Sequence, residues 1–281
     1  MRNRLFVITT IVIAVTLVWF SHSALIAQNA APARPVRPAP RWPNGRIRLS
    51  SPPGEGGLWG GGGRLAINPN SYEPRTTLNA PIHVDNVPLQ PWARALLDYR
   101  HLNFLKDEPY TRCKASPGPR LWTTAYGIEI LDNPELQNIF VFTNGGSDSF
   151  DTIFMDGRRH PEDRDVGTSY YGHSVGHWDG DSLVIDTRGF NERVWMNRDA
   201  LPTTDKLHLI ERLTRTDYET LKYEVTIDDP GAYTATWNSG FSLRLGTGDQ
   251  LFEYLCQDNN HGPEMMVGAG NAVDRSSPIV P

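Results

Sequence analysis

Short runs in which apolar and polar residues alternate dominate the chain from about residue 125 onward. They lie at residues 139–145, 150–157, 182–190, 206–215, 220–228, 232–237 and 250–258, and most of them end near glycine, asparagine or aspartate. Alternation with a period of two is typical of a strand with one buried face, and turn residues separate successive strands. The pattern predicts an antiparallel meander that closes into a lipocalin-like barrel or folds into an open sandwich, so that its apolar faces are covered.

One helix is predicted ahead of these strands, near residues 92–105. Pro91 stands at a position where the first turn of a helix tolerates proline, and Trp92, Ala95 and Tyr99 follow at helical spacing. The sequence therefore predicts a mainly β protein with a single helix before its sheet.

The rest of the chain divides by composition. Residues 1–27 begin with two arginines and continue as an apolar run shorter than the roughly 20 residues of a membrane-spanning helix, which predicts a signal peptide. Residues 28–79 are rich in proline and glycine and are predicted to form a tether and an irregular lead-in. Residues 80–270 then form the barrel-like domain, and residues 271–281 form a tail. We expect a periplasmic or secreted protein, attached to a membrane only if the leader stays uncleaved.

Charge and cysteine content narrow the possible functions. The formal net charge of −5 offers no positive surface for nucleic acid. The two cysteines, Cys113 and Cys256, favour a disulfide in an exported chain, and two separate buried thiols are the alternative. Neither cysteine has a partner at metal-ligand spacing, so no zinc–thiolate site is predicted.

Two histidines stand four residues apart just before the clearest turn of the chain. Asp179 and Gly180 form a two-residue connection between alternating segments, which is the strongest short signal for a β-hairpin. On an extended strand, Tyr171, His173 and His177 share one face. At a rise of roughly 3.3 Å per residue, positions i and i+4 lie about 13 Å apart, too far to share a metal ion without a bulge. No metal is therefore predicted.

A carboxylate stands on the apolar face of another predicted strand. In residues 206–215, Glu211 shares its face with Leu209, so it is predicted to point into the barrel. A buried carboxylate must be paired or neutral, and Arg158, Arg159 or a histidine could be its partner. One interpretation is an internal ion pair without chemistry. The other is that Glu211 and His173 form an acid/base pair.

The candidate site extends to neighbouring polar and aromatic groups. His160 and Tyr171 join His173 and Glu211 as predicted catalytic residues, because the turn near residues 155–161 can overhang the mouth of a barrel. The predicted binding residues combine charge with flat aromatic surface, and they are Arg158, His177, Trp178 and Trp195.

Several stretches together resemble a family of exported bacterial proteins that has no characterised activity. The resemblance rests mainly on residues 155–162, MDGRRHPE, and residues 172–191, GHSVGHWDGDSLVIDTRGFN. The chain departs from the family at two points. The glycine-rich residues 55–63 replace a segment that contains proline and aspartate, and Asp179 stands where the family has glutamate. The resemblance implies export and supplies no reaction.

No cofactor motif accompanies these residues, and Ser174 lacks the Gly-x-Ser-x-Gly elbow of a serine nucleophile. The sequence therefore favours a cofactor-free acid–base enzyme of the isomerase, cyclase, lyase or hydratase type, acting on a small hydrophobic or aromatic molecule. The alternatives are a noncatalytic envelope protein that binds such a molecule in its barrel, and a purely structural envelope protein without a cavity.

Overall fold

The computed structural model describes residues 35–60, 65, 87–103, 105–124, 126–144, 149–162 and 167–266. Nearly all of them belong to one compact unit, Arg37–Pro281. The predicted signal peptide over residues 1–27 and the predicted tail over residues 271–281 lie outside the described residues. Within the described part of the chain, no helix has the length and apolar character needed to cross a membrane.

Nine strands of the described chain form a closed barrel. In chain order the strands are β1 (Gly57–Gly60), β2 (Ile128–Leu131), β3 (Asn138–Thr143), β4 (Ser149–Phe154), β5 (His173–Asp179), β6 (Ser182–Arg188), β7 (His208–Arg215), β8 (Thr220–Asp228) and β9 (Trp237–Thr247). The helices are α1 (Pro91–Leu102), which confirms the predicted helix, the short α2 (Pro119–Trp122), and two 3-10 helices over Pro109–Arg112 and Gly262–Met265.

Each strand pairs with its neighbours in sequence, and β1 pairs with β9 to close the barrel. The pairs are antiparallel except for β4 and β5, which run parallel and pair at Ile153 with Ser174 and at Phe154 with Val175. The predicted mainly β meander and its closure into a barrel are therefore confirmed, and the open sandwich is excluded.

Alternation along the strands sorts side chains between the interior and the outer face of the barrel. In β7, Leu209, Glu211 and Leu213 are buried, whereas His208 and Arg212 are half-buried. Residues in register on neighbouring strands share a face, so the same division extends through β6 to β5. Glu211 therefore points into the barrel, as predicted.

The β5–β6 hairpin confirms the predicted tight connection with a shift of one residue. Asp179 pairs with Ser182, so the two central residues are Gly180 and Asp181. Gly180 has a φ of +59°, a left-handed conformation that glycine adopts without a steric cost. The register that follows from this turn decides which residues stand beside the two histidines.

Three predicted details of the strand pattern are wrong. Residues 250–258 form no strand, and residues 232–236 precede β9, which begins only at Trp237. The glycines at positions 240 and 246 weaken the alternation along β9 and hid this strand in the sequence. The predicted turn near residues 155–161 does not close a hairpin, because the strands on either side of it run parallel.

The barrel also takes its first strand from the stretch that composition assigns to the lead-in. Gly57 and Gly60 flank Leu58 and Trp59 in β1, and both large side chains are buried, with Trp59 only 1% exposed. Glycine-rich composition favoured an irregular segment here. The burial of Leu58 and Trp59 and the pairing with β9 outweigh that local tendency.

Cys113 and Cys256 form a disulfide with their Cα atoms 5.5 Å apart, which confirms the favoured pairing. The bridge joins the segment between α1 and α2 to the turn that follows β9. A disulfide is consistent with folding in an oxidising compartment outside the cytoplasm.

Candidate functional site

The structure separates His173 from Glu211. His173 and His177 share a face with Val175, as predicted, but this is the outer face of the barrel, because Ser174 at the intervening position is buried on the inner side. Glu211 points inward. The predicted acid/base pair of His173 and Glu211 is therefore wrong, since the sheet lies between the two side chains.

Tyr171 does not share the histidine face either. Gly172 has a φ of +70° and interrupts the extended backbone just before β5. The hydroxyl of Tyr171 lies 2.6 Å from Oγ of Ser149 in β4, and Ser149 shares its strand face with the buried Ile153. Tyr171 thus belongs with the interior groups, where burial raises its pKa to about 12.

Glu211 is held inside the barrel by two hydrogen bonds. The indole Nε1 of Trp122 in α2 and the hydroxyl of Tyr223 in β8 donate to its Oε1 at 2.9 and 2.7 Å. Glu211 is only 4% exposed, and its burial raises the pKa of the carboxyl to about 7 despite these bonds. Trp122 and Tyr223 therefore take the place of the cationic partner that the sequence suggested.

A second interior carboxyl lies near Glu211. Asp151 in β4 accepts a hydrogen bond from Oγ of Ser174 at 3.3 Å, and burial raises its pKa to about 6. The negative charge of Asp151 contributes to the raised pKa of Glu211. Burial therefore brings the pKa values of both interior carboxyls close to neutral pH.

The Glu211→Gln variant should remove a specific part of the pH dependence of stability. The pKa of Glu211 is raised from 4.5 to about 7 on folding. The carboxyl therefore contributes fully to the free energy of unfolding below pH 4.5, and this contribution is lost as pH rises through 7. This loss amounts to about 3 kcal/mol. We expect urea unfolding of Glu211→Gln to show a free energy that falls less between pH 4.5 and 8, with the Asp151 contribution retained. The exposed Glu135→Gln serves as the control, and an unchanged pH dependence in Glu211→Gln would contradict the assignment.

On the outer face of the barrel, one carboxylate contacts several basic side chains. Oδ1 of Asp186 in β6 lies 3.0 Å from Nε2 of His160, 2.9 Å from Nε2 of His208 and 3.5 Å from Nε of Arg188. The other ring nitrogen of His160, Nδ1, lies 3.0 Å from Nδ1 of His173. We call this group, Asp186, His160, His173 and His208, the outer histidine cluster.

For neutral rings, the hydrogen bonds of the cluster define the tautomers. A carboxylate can only accept, so Nε2 of His160 donates to Asp186 and a neutral His160 presents an unprotonated Nδ1. Nδ1 of His173 must then carry the shared hydrogen, which leaves Nε2 of His173 as a basic nitrogen. Burial, together with the nearby His160 and Arg158, lowers the pKa of His173 below its usual value. The ring is therefore neutral at physiological pH.

Aromatic stacking orients the imidazole of His173. The ring of Phe154 lies nearly parallel to it, with centroids 5.0 Å apart and an interplanar angle of 24°. The guanidinium of Arg158 covers Phe154 at 3.8 Å and is paired with Asp156. Arg158 thus supports the site through Phe154.

A cavity of about 180 Å³ lies at the outer histidine cluster. His160, His173 and Arg188 line it together with Gly172 and Gly189. The cavity brings a basic imidazole and a guanidinium to the same small space. In the described residues, no group of three or more histidine, cysteine, aspartate or glutamate side chains has the arrangement needed to hold a metal ion.

Comparisons with known proteins return no match. This holds for models of protein families, for curated proteins and for solved structures. The resemblance to exported bacterial proteins therefore stays a prediction, and the functional argument rests on the geometry of the site.

The other predicted binding residues do not line this cavity. His177 is exposed on the outer face farther along β5. Trp178 lies at the end of β5, with the guanidinium of Arg46 at 4.9 Å from its ring. Trp195 is buried, with the guanidinium of Arg100 at 4.5 Å from its ring. These two tryptophans therefore contribute to packing.

Sequence reasoning missed Asp186, His208 and Arg188. The signal was present in the hairpin, because extending its pairing from the turn places Arg188 opposite His173 and Asp186 opposite Val175. His208 could be found from the strand of Glu211. Alternation places residues three positions apart on opposite faces, so an inward Glu211 means that His208 points outward. Both inferences require knowing which face of the sheet points inward. The sequence of β6 does not show this, because apolar residues on both of its faces are buried.

Proposed function

We propose that this protein is an exported enzyme that transfers protons without a cofactor, with His173 as its general base. The observation that carries the proposal is the chain of hydrogen bonds from Asp186 through His160 to His173, which ends at a cavity. A base whose ring is oriented by a second group, itself held by a carboxylate, is the arrangement that general acid–base catalysis requires.

Each member of the cluster has a defined part in this reaction. His173 takes a proton from the substrate at Nε2, and its Nδ1 hydrogen is held toward His160. The cation that forms is stabilised through His160 by the negative charge of Asp186, with 3.0 Å at each step of the chain. Arg188 offers a positive group to negative charge that develops on the substrate.

The cavity and its surroundings indicate a small substrate. Its volume of about 180 Å³ is below the roughly 300–1,000 Å³ of typical ligand pockets, so a small molecule or one end of a larger molecule enters it. The ring of Phe154 beside His173 favours an apolar or aromatic group next to the reacting atoms. Isomerisation, cyclisation, elimination and hydration are the reaction types that such a base serves.

The proposal is tested by NMR of the histidine ring nitrogens in the mature protein. We expect His173 to show the Nδ1–H tautomer and a pKa below its usual value. In Asp186→Asn the tautomer of His160 is no longer imposed by a carboxylate, so the Nδ1–H form of His173 should lose population.

The control is His177→Gln, which changes a histidine on the same strand and face and should leave the signals of His173 unaltered. A His173 ring that titrates like a free imidazole and does not respond to Asp186→Asn would contradict the enzyme proposal. That result would favour the noncatalytic binding protein.

A further inference from the structure

A second cavity, of about 460 Å³, lies between the segment that precedes β1 and the strand β2. It is distinct from the outer histidine cluster, with which it shares no lining residue. The side chains that shape it are Trp42, Arg48, Ser51, Glu55, Glu129 and Leu131. We call it the Trp42 cleft.

A buried carboxylate fixes one wall of the Trp42 cleft. Asp132, which is 0% exposed, accepts hydrogen bonds from the backbone N–H groups of Leu49 and Ser50 at 2.8 and 3.1 Å. It also accepts one from Nε1 of Trp42 at 3.2 Å. A single ionisable side chain thus sets both the backbone of this segment and the orientation of the indole.

A buried guanidinium holds the same segment from the other side. Arg215 is 2% exposed and donates to the backbone carbonyls of Arg48 and Ser50 at 2.8 and 2.9 Å. Burying a charge is costly, yet two buried charged side chains, Asp132 and Arg215, hold this one segment of fewer than ten residues by hydrogen bonds. The wall of the cleft is therefore rigid before any ligand arrives, which lowers the entropic cost of binding.

The groups that face the cleft suit a molecule with one apolar face and a polar edge. The guanidinium of Arg48 lies over one face of the Trp42 indole, 4.1 Å from the ring centroid. The rest of this half-buried indole and the side chain of Leu131, 43% exposed, provide apolar surface. Glu129 provides an exposed carboxylate. The carboxylate of Glu55 accepts from the Tyr218 hydroxyl through Oε2, and the hydroxyl of Ser51 donates to the carbonyl of Gly57, so each has further capacity to accept a hydrogen bond. The cleft thus offers hydrogen-bond donors and acceptors without a large excess of charge. This combination suits a ligand whose hydroxyls both donate and accept.

We propose that the Trp42 cleft binds a neutral saccharide of about two sugar rings. The C–H face of a sugar packs on an aromatic ring, and its hydroxyls hydrogen-bond to carboxylate and guanidinium groups at the edges of that ring. A cavity of about 460 Å³ lies within the usual range for small-molecule sites. This site does not depend on the chemistry proposed for His173.

The test follows the indole N–H signal of Trp42 by NMR in the mature protein. Chitobiose, cellobiose and maltose are added separately, up to about 20 mM, well above a millimolar Kd. We expect at least one of them to shift this signal in a saturable manner. Glu129→Gln should weaken that binding about tenfold, since a hydrogen bond to a charged acceptor is replaced by a weaker one to a neutral amide.

Glu135→Gln, a change of the same type at an exposed position outside the cleft, should bind as the wild type does. His173→Gln should also bind normally, which separates this proposal from the enzyme proposal. The saccharide proposal is overturned if none of the three sugars shifts the Trp42 signal. It is also overturned if Glu129→Gln binds as tightly as the wild type.

Discussion

His173→Gln should lower the rate of proton transfer by about 10²–10⁴-fold, the usual contribution of a positioned general base. Glutamine has no basic nitrogen, so it cannot accept the proton that Nε2 of His173 takes. The amide is of similar length and can still face His160, which limits the structural damage. The loss is therefore expected in the chemical step, with little change in the unfolding midpoint.

The measurement is deuterium incorporation from D₂O into a panel of small carbonyl compounds, aromatic and aliphatic, followed by NMR. His177→Gln, on the same strand and the same outer face, should exchange protons at the wild-type rate. If His173→Gln retains full activity on a compound that the wild type processes, His173 is not the base. If the wild type exchanges none of the panel, the noncatalytic binding protein becomes the better interpretation.

Removing the Cys113–Cys256 disulfide should destabilise the protein by about 3–5 kcal/mol. The two cysteines are separated by 143 residues in sequence, so the bridge closes a long loop and restricts the unfolded chain strongly. It also secures the segment that carries α2. Trp122 of α2 donates to Glu211 in the barrel interior, so loosening this segment also weakens the packing around that carboxyl.

The double variant Cys113→Ser with Cys256→Ser is compared with the wild type by urea unfolding without reductant. Wild-type protein unfolded in the presence of a reductant provides the matched control and should approach the stability of the double variant. Equal unfolding midpoints for the oxidised wild type and the double variant would contradict the expected contribution of the bridge.

The architecture could be predicted from the sequence wherever alternation was strong. The strands around Glu211 and the β5–β6 hairpin follow from a period of two and from one glycine turn, because burial on one face imposes that period. β1 and most of β9 could not be predicted, since their glycines leave few side chains to carry the alternation. β1 also depends on pairing with β9 and β2, which lie far away in sequence, and local patterns do not encode such pairing.

The candidate site could be predicted in its residue types and only partly in its arrangement. The sequence correctly placed His173 and His177 on one face, and it drew attention to His160 and Glu211. It could not decide which face is inside, because shifting a strand by one residue exchanges all of its inward and outward positions. Tyr171 was assigned to the histidine face because the left-handed φ of Gly172, which breaks the alternation, is not visible in the pattern.

The four residues of β1 have a consequence for the solution behaviour of the protein. β1 pairs with β9 at four positions and with β2 at Trp59 and Ile128. A chain shortened to the compositional boundary at residue 80 would leave the backbone N–H and C=O groups of β2 and β9 unpaired along two open edges. Such edges recruit strands from other molecules. The glycine-rich lead-in therefore protects the protein against self-association, and its loss would produce aggregates that keep most of their β-structure.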